Sequence, residues 1–220
     1  MAGHKFFDHF CGEFSQGQGI ALLGENGSGK STFFRSLLDG TSMSQCFFND
    51  NLIKRNELFN YIYFHQQTLQ NSFPLTAKSL LQLSQISWDK IEKQVNNFQC
   101  EGYLNQPITT LSGGQWQRLR LALAFASEQP ILFLDEPDSG LDIKHQKMLM
   151  EIITDSKKII FFSSHNITLS VFYSDIKLVL GQNTISTFDK HSDSTELKEC
   201  LEKTFNTEFK LQQGLIFPVL

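Results

Sequence analysis

Gly24-Glu25-Asn26-Gly27-Ser28-Gly29-Lys30-Ser31-Thr32 follows the apolar run Gly19-Ile20-Ala21-Leu22-Leu23 and precedes the helical stretch Ser31–Leu38. The first eight of these residues fit the pattern G-x-x-x-x-G-K-[ST], placed between a strand and a helix. The glycines let the backbone curl with its N–H groups pointing inward, and those groups together with the helix N-terminus bind phosphate. In that arrangement Lys30 contacts the β- and γ-phosphates and the Ser31 hydroxyl holds magnesium. Every residue from Gly24 to Thr32 is therefore a nucleotide-binding candidate. Alone, the pattern specifies a nucleotide-binding loop and no particular work.

Outward from the loop, Ile131-Leu132-Phe133-Leu134 and Ile159-Ile160-Phe161-Phe162 are continuous apolar runs. Such runs mark strands buried on both faces of a parallel sheet. Asp135-Glu136 follows the first run directly. A carboxylate at the end of a strand beside the phosphate loop can hold the metal, which selects Asp135. Glu136 is then placed to accept a proton from an attacking water. Helices are predicted over Gln115–Ala126 and Lys144–Thr154, a hairpin over Cys46–Ile53 and a strand over Tyr61–Phe64. From Ser72 to Thr110 the chain is polar and rich in Gln and Asn, with Leu80, Leu81, Leu83, Ile91, Val95 and Phe98 at helical spacing. Strands over Ile176–Leu180 and Thr184–Phe188, a helix near Ser194–Phe205 and two short strands around Phe209–Leu211 and Leu215–Val219 complete an α/β reading.

Between loop and acidic pair lies Leu111-Ser112-Gly113-Gly114-Gln115, then Trp116-Gln117-Arg118-Leu119-Arg120-Leu121-Ala122. This segment resembles the signature of ATP-binding cassette (ABC) ATPases, and the resemblance extends over about residues 11–220. It implies a P-loop NTPase (RecA-like) core with a mainly parallel sheet, an inserted α-helical subdomain and a reduced N-terminal antiparallel β part. Residues 1–220 would form one ABC ATPase domain. Its core would comprise 1–71 and 111–220, with a C-terminal appendage, and its helical subdomain 72–110. The implied cofactors are ATP and Mg2+.

The resemblance also implies a second copy of the chain. Ser112, Gly113, Gly114 and Gln115 of one copy would complete the ATP site of the other. A physical reason is visible, since Ser112 can begin a helix whose Gly113 and Gly114 amides face an anion. Tyr63-Phe64-His65-Gln66 is similar to the glutamine loop, with Gln66 on magnesium or water; the adjacent Gln67 suits the downstream spacing almost equally. Ser139-Gly140-Leu141-Asp142 resembles the D-loop, which crosses the dimer interface and brings Asp142 among the nucleotide-site residues. His165, in Ser163-Ser164-His165, matches the switch histidine at the γ-phosphate. The implied catalytic set is Lys30, Gln66, Glu136 and His165, and the implied metal set is Ser31, Gln66 and Asp135. His65, His145 and His191 read as structural, Trp116 as a packing residue and Lys157-Lys158 as a solvated charge pair.

Family members usually carry more residues before the phosphate loop, including an aromatic that stacks on adenine. Phe6, Phe7 and Phe10 are the candidates for that stacking. The C-terminal stretch from Leu197 to Pro218 looks similar to the ends of the cobalamin, siderophore and haem importer ATPases. That resemblance implies separate transmembrane permease subunits, a substrate-binding protein in the system and a peripheral position on the cytoplasmic face of the inner (plasma) membrane. A second reading is a soluble ABC ATPase of an assembly pathway such as iron–sulfur cluster biogenesis.

Composition sets the outer limits. The 220 residues carry a net charge of −4, so no basic excess exists to neutralise a run of phosphates and no nucleic-acid partner is expected. No apolar run approaches the roughly 20 residues that cross a bilayer, and the first ten residues lack the apolar core of a signal peptide. Cys11, Cys46, Cys100 and Cys200 have neither metal-knuckle nor redox-pair spacing and read as buried free thiols. The 21 phenylalanines carry no functional reading.

Overall fold

A computed structural model describes residues 10–39, 47–66, 74–181 and 184–219. In chain order the elements are β1 (Gly19–Leu23), α1 (Lys30–Asp39), β2 (Phe47–Phe48), β3 (Asn51–Leu52), α2 (Leu58–Tyr61), β4 (Ile62–His65), α3 (Ala77–Gln82) and α4 (Trp88–Asn97). There follow α5 (Gly113–Ala126), β5 (Ile131–Leu134), α6 (Ile143–Thr154), β6 (Ile159–Ser163), α7 (Ile167–Tyr173), β7 (Ile176–Leu180), β8 (Ile185–Phe188), α8 (Ser194–Phe205), β9 (Phe209–Gln212) and β10 (Leu215–Pro218). The main sheet runs β4-β5-β6-β1-β7-β8, parallel except for the antiparallel edge strand β8.

Strand side chains alternate between faces, and that alternation divides the core in two. Ala21, Leu23, Leu132, Leu134, Ile160, Phe162 and Val179 face one side, packing with α5, α6, the α3–α4 segment and Ile216 of the C-terminal hairpin. Ile20, Leu22, Phe133, Phe161, Leu178 and Leu180 face the other, packing with Phe33, Phe34 and Leu38 of α1. This second face accounts for much of the phenylalanine content. Phe10, Phe14, Phe33, Phe34, Phe64, Phe133 and Phe161 form a continuous chain of ring contacts with centroids 4.8 to 6.4 Å apart. Edge-to-face and tilted pairs of this kind add to the burial of apolar area itself.

Several details depart from the sequence reading. The signature helix begins at Gly113 rather than Gln115, because Ser112 caps it. Tyr61 ends the short helix α2, and the strand after it covers Ile62–His65. The Lys157-Lys158 reading is corrected: the Lys158 ammonium turns inward and donates to Ser127 O at 2.6 Å and Gln129 O at 2.7 Å. Burial moves its pKa down to about 8. Cys11 is exposed, against the expectation of buried thiols, whereas Cys100 is buried. Cys46, Phe6, Phe7 and Gln67 lie outside the described residues. Among the described residues, no helix is long and apolar enough to cross a membrane.

Candidate active site

The loop between β1 and α1 has the tight curl its composition requires. Gly27 and Gly29 sit at φ +83° and +98°, where side chains other than hydrogen are strained. A Cβ on Gly24 would lie 2.5 Å from Ser28 Oγ and 2.9 Å from Leu180 O, so no side chain fits there. Lys30 reaches back over the loop, and its Nζ donates to Gly24 O at 2.7 Å and Glu25 O at 3.0 Å. Burial lowers the Lys30 pKa, while the charges of Glu136 and Asp135 oppose that shift. The cation and the two carboxylates therefore share one electrostatic site.

Those carboxylates come from the end of β5. Ser163, fully buried at the end of β6, links them to the neighbouring strand. Its Oγ accepts from the Glu136 N–H at 2.8 Å and donates to Asp135 Oδ1 at 2.9 Å. One hydroxyl thus orients both residues. Glu136 has φ +48°, a left-handed conformation that a non-glycine residue adopts at a cost of about 1–3 kcal/mol. That turn aims the carboxylate at His165, whose Nε2 lies 2.9 Å from Glu136 Oε1. The preceding residue is also anchored, since Ser164 Oγ donates to the buried Asp138 at 2.6 Å. Burial raises the Asp138 pKa, and the Ser164 hydrogen bond works against that rise.

The signature segment starts α5 with a capped, partly exposed N-terminus. Ser112 and Gln115 form a capping box: Gln115 N donates to Ser112 Oγ at 3.3 Å, and Ser112 N to Gln115 Oε1 at 2.9 Å. Ser112 and Gly113 are exposed, and a Cβ on Gly113 would meet nothing within 4 Å. Gly114 instead packs against the loop after β5, where a Cβ would stand 3.0 Å from Gly140 O. Asp142 caps α6, accepting from His145 N at 2.9 Å and facing His145 Nδ1 at 2.8 Å. Gln66 is exposed at the end of β4, beside the acidic strand end, because Asp135 N donates to His65 O at 3.0 Å. Phe10 packs edge-on to Phe33 and stacked on Phe14.

Three buried polar side chains add a layer that motif reading does not isolate: His65, Gln117 and Arg120. Gln117 Nε2 donates to Pro137 O at 2.9 Å and lies 3.2 Å from His65 Nε2. Arg120 donates to Gln117 Oε1 at 3.4 Å and to Gln66 O. Its guanidinium also lies over the Trp116 ring, 5.9 Å from the centroid. Burial, with the nearby Arg120 charge, moves the His65 pKa down to about 3, so its ring is neutral. Gln117 and Arg120 lie in the stretch that resembles the family signature, but nothing in the sequence pairs them with His65.

The sequence profile of the ABC transporter family matches residues 7–139. The chain belongs to the ABC transporter family. Among relatives of this ABC protein is the vitamin B12 import ATP-binding protein BtuD of Vibrio atlanticus, 29% identical and covering 90% of this chain and 88% of its own. The petrobactin import ATP-binding protein FpuC of Bacillus anthracis is 27% identical over 90% of this chain and 80% of its own. The dimeric structure of a bacterial ABC transporter cassette superposes with a TM-score of 0.69 at 20% identity, covering 86% of this chain and 92% of that one. That likeness establishes the fold, an ABC cassette with a mainly parallel sheet.

The magnesium expected in such a site fits the residues present. Among the described residues no group of three or more His, Cys, Asp or Glu gathers to hold a metal. Magnesium sites of nucleotide enzymes differ from such cages, using one or two protein oxygens together with phosphates and water. Ser31 at the start of α1 and the oriented Asp135 carboxylate supply donors of that type.

Proposed function

We propose that this chain is the ATP-hydrolysing subunit of an importer that carries a metal chelate, siderophore, haem or cobalamin across a membrane. The observation that carries the hydrolytic reading is the Glu136–His165 contact at 2.9 Å beside Asp135 and Lys30. In this reading Gly24–Thr32 cradle the phosphates and Lys30 neutralises charge on the β- and γ-phosphates. Ser31, Gln66 and Asp135 hold magnesium, which supplies charge compensation at the phosphate oxygens. Glu136 accepts the proton of the attacking water, and His165 holds that carboxylate and contacts the γ-phosphate. The reaction yields ADP and phosphate from ATP and water.

The exposed, capped N-terminus of α5 supports a composite site. Ser112, Gly113, Gly114 and Gln115 of one copy meet the ATP held by the other, and Asp142 lies at the same interface. The helical segment 72–110 is a subdomain that swings on the remaining core, and the movement drives separate permease subunits. A periplasmic or surface substrate-binding protein delivers the cargo, and the chain sits on the cytoplasmic face of the membrane through its permease. The import names of two relatives, each aligned over 90% of this chain, support this choice of cargo class.

Pull-down of the tagged chain from detergent-solubilised membranes tests the transport reading. The expected result is a stoichiometric polytopic permease. Recovery with soluble cluster-assembly proteins and no membrane protein would contradict it.

A further inference from the structure

The polar layer behind the active site joins three parts of the cassette that must act together. Arg120 and Gln117 belong to α5, the helix whose N-terminus is the signature. Their partners are Gln66 O, where the chain leaves β4 for the glutamine loop, and Pro137 O, one residue beyond Glu136. His65, the last residue of β4, fills the space between them.

Donor counting fixes the direction of every bond. A Gln side chain has two N–H donors and one carbonyl acceptor. Pro137 O can only accept, so the Gln117 nitrogen must face it. The second N–H of that nitrogen then points to His65 Nε2, which must accept. The ring is therefore the neutral tautomer carrying its proton on Nδ1. The Gln117 oxygen, the one acceptor left, takes the Arg120 N–H. Reversing the Gln117 amide would set oxygen against oxygen at Pro137 and N–H against N–H at Arg120. The Gln117 amide thus has one satisfied orientation, which makes its links to Pro137 and Arg120 a rigid connection.

We propose that Arg120 and Gln117 are positioning residues for Gln66, fixing where its side chain is presented beside Glu136. The proposal rests on the ATPase reading of the site. Both residues are buried behind the site; Arg120 acts by holding the Gln66 carbonyl, and Gln117 by orienting Arg120 and the Pro137 carbonyl. Because both lie on α5, a shift of the signature helix against a second copy is passed to the glutamine loop and to the turn carrying Glu136.

The test is a double-mutant cycle on steady-state ATP hydrolysis by the full chain, with ATP affinity measured directly. The backgrounds are the natural sequence and a loop-disabled Gln66→Ala/Gln67→Ala variant. Arg120→Met should lower kcat on the order of tenfold and leave KM for ATP within about twofold, as expected when a reacting group is misplaced without loss of binding. In the loop-disabled background the same substitution should produce no further loss, because the side chain that Arg120 positions through the Gln66 carbonyl is gone. A loss that multiplies equally in both backgrounds would overturn the proposal and mark Arg120 as a general structural residue. A loop-disabled variant with undiminished kcat would overturn the glutamine-loop reading, and the inference with it. If Arg120→Met does not fold, Arg120→Lys keeps the buried charge but loses the two-nitrogen fork, and the same comparison applies.

Discussion

At the scale of single residues, the site is built by few contacts with large consequences. Ser163 places Asp135 and Glu136 with one hydroxyl, and Glu136 reaches His165 only through a left-handed backbone that its surroundings must hold in place. His65 carries a separate, pH-dependent signature. Its folded-state pKa of about 3 lies below its ordinary 6.5, because burial and Arg120 both disfavour the charged ring. Between those values the unfolded chain binds more protons than the folded one. Stability is thus full above pH 6.5 and falls as pH drops toward 3, by up to about 1.4 kcal/mol per pH unit from this group. His65→Gln keeps an acceptor for Gln117 without a titrating ring. Thermal midpoints from pH 7 to pH 4.5 should fall more steeply for the natural chain than for His65→Gln; parallel curves would contradict the buried neutral histidine.

At the scale of elements, α5 combines three tasks: its capped start presents the signature, its middle holds the polar layer and its body packs against β4. Capping contributes about 1 kcal/mol, so losing the Ser112 hydroxyl alone would leave the helix standing. Ser112→Arg is a sharper probe, because it puts a bulky cation where a second copy would approach in the proposed composite site. Nucleotide binding to the isolated chain should stay within about twofold while turnover falls on the order of a hundredfold. Retained turnover would argue against a composite site.

Sequence made this element legible to within two residues, since Ser112 and Gln115 carry the cap in their spacing. The apolar runs Ile131–Leu134 and Ile159–Phe162 likewise announced strands covered on both faces, and the sheet places them side by side. The polar layer was not legible. His65, Gln117 and Arg120 are 52 and 55 residues apart from first to second and first to third, and only the packing of α5 against β4 brings them together. Lys158 was misread for a similar reason: the carbonyls that draw it inward belong to a turn some 30 residues away.

At the scale of the whole molecule, the proposed composite site calls for a second copy. The phosphate loop, carboxylates and His165 gather within one chain, whereas Ser112 and Gly113 lie exposed at the start of α5. Two-fold symmetry then makes two composite sites from one interface. Glu136→Gln keeps the shape of the site and removes its proposed base, so ATP should bind and persist and hold the two copies closed. The most direct measurement is sedimentation of Glu136→Gln with and without ATP and magnesium. A species of twice the 25.2 kDa chain mass is expected with ATP and a monomer without it. A chain that binds ATP under those conditions yet remains monomeric would contradict the composite site.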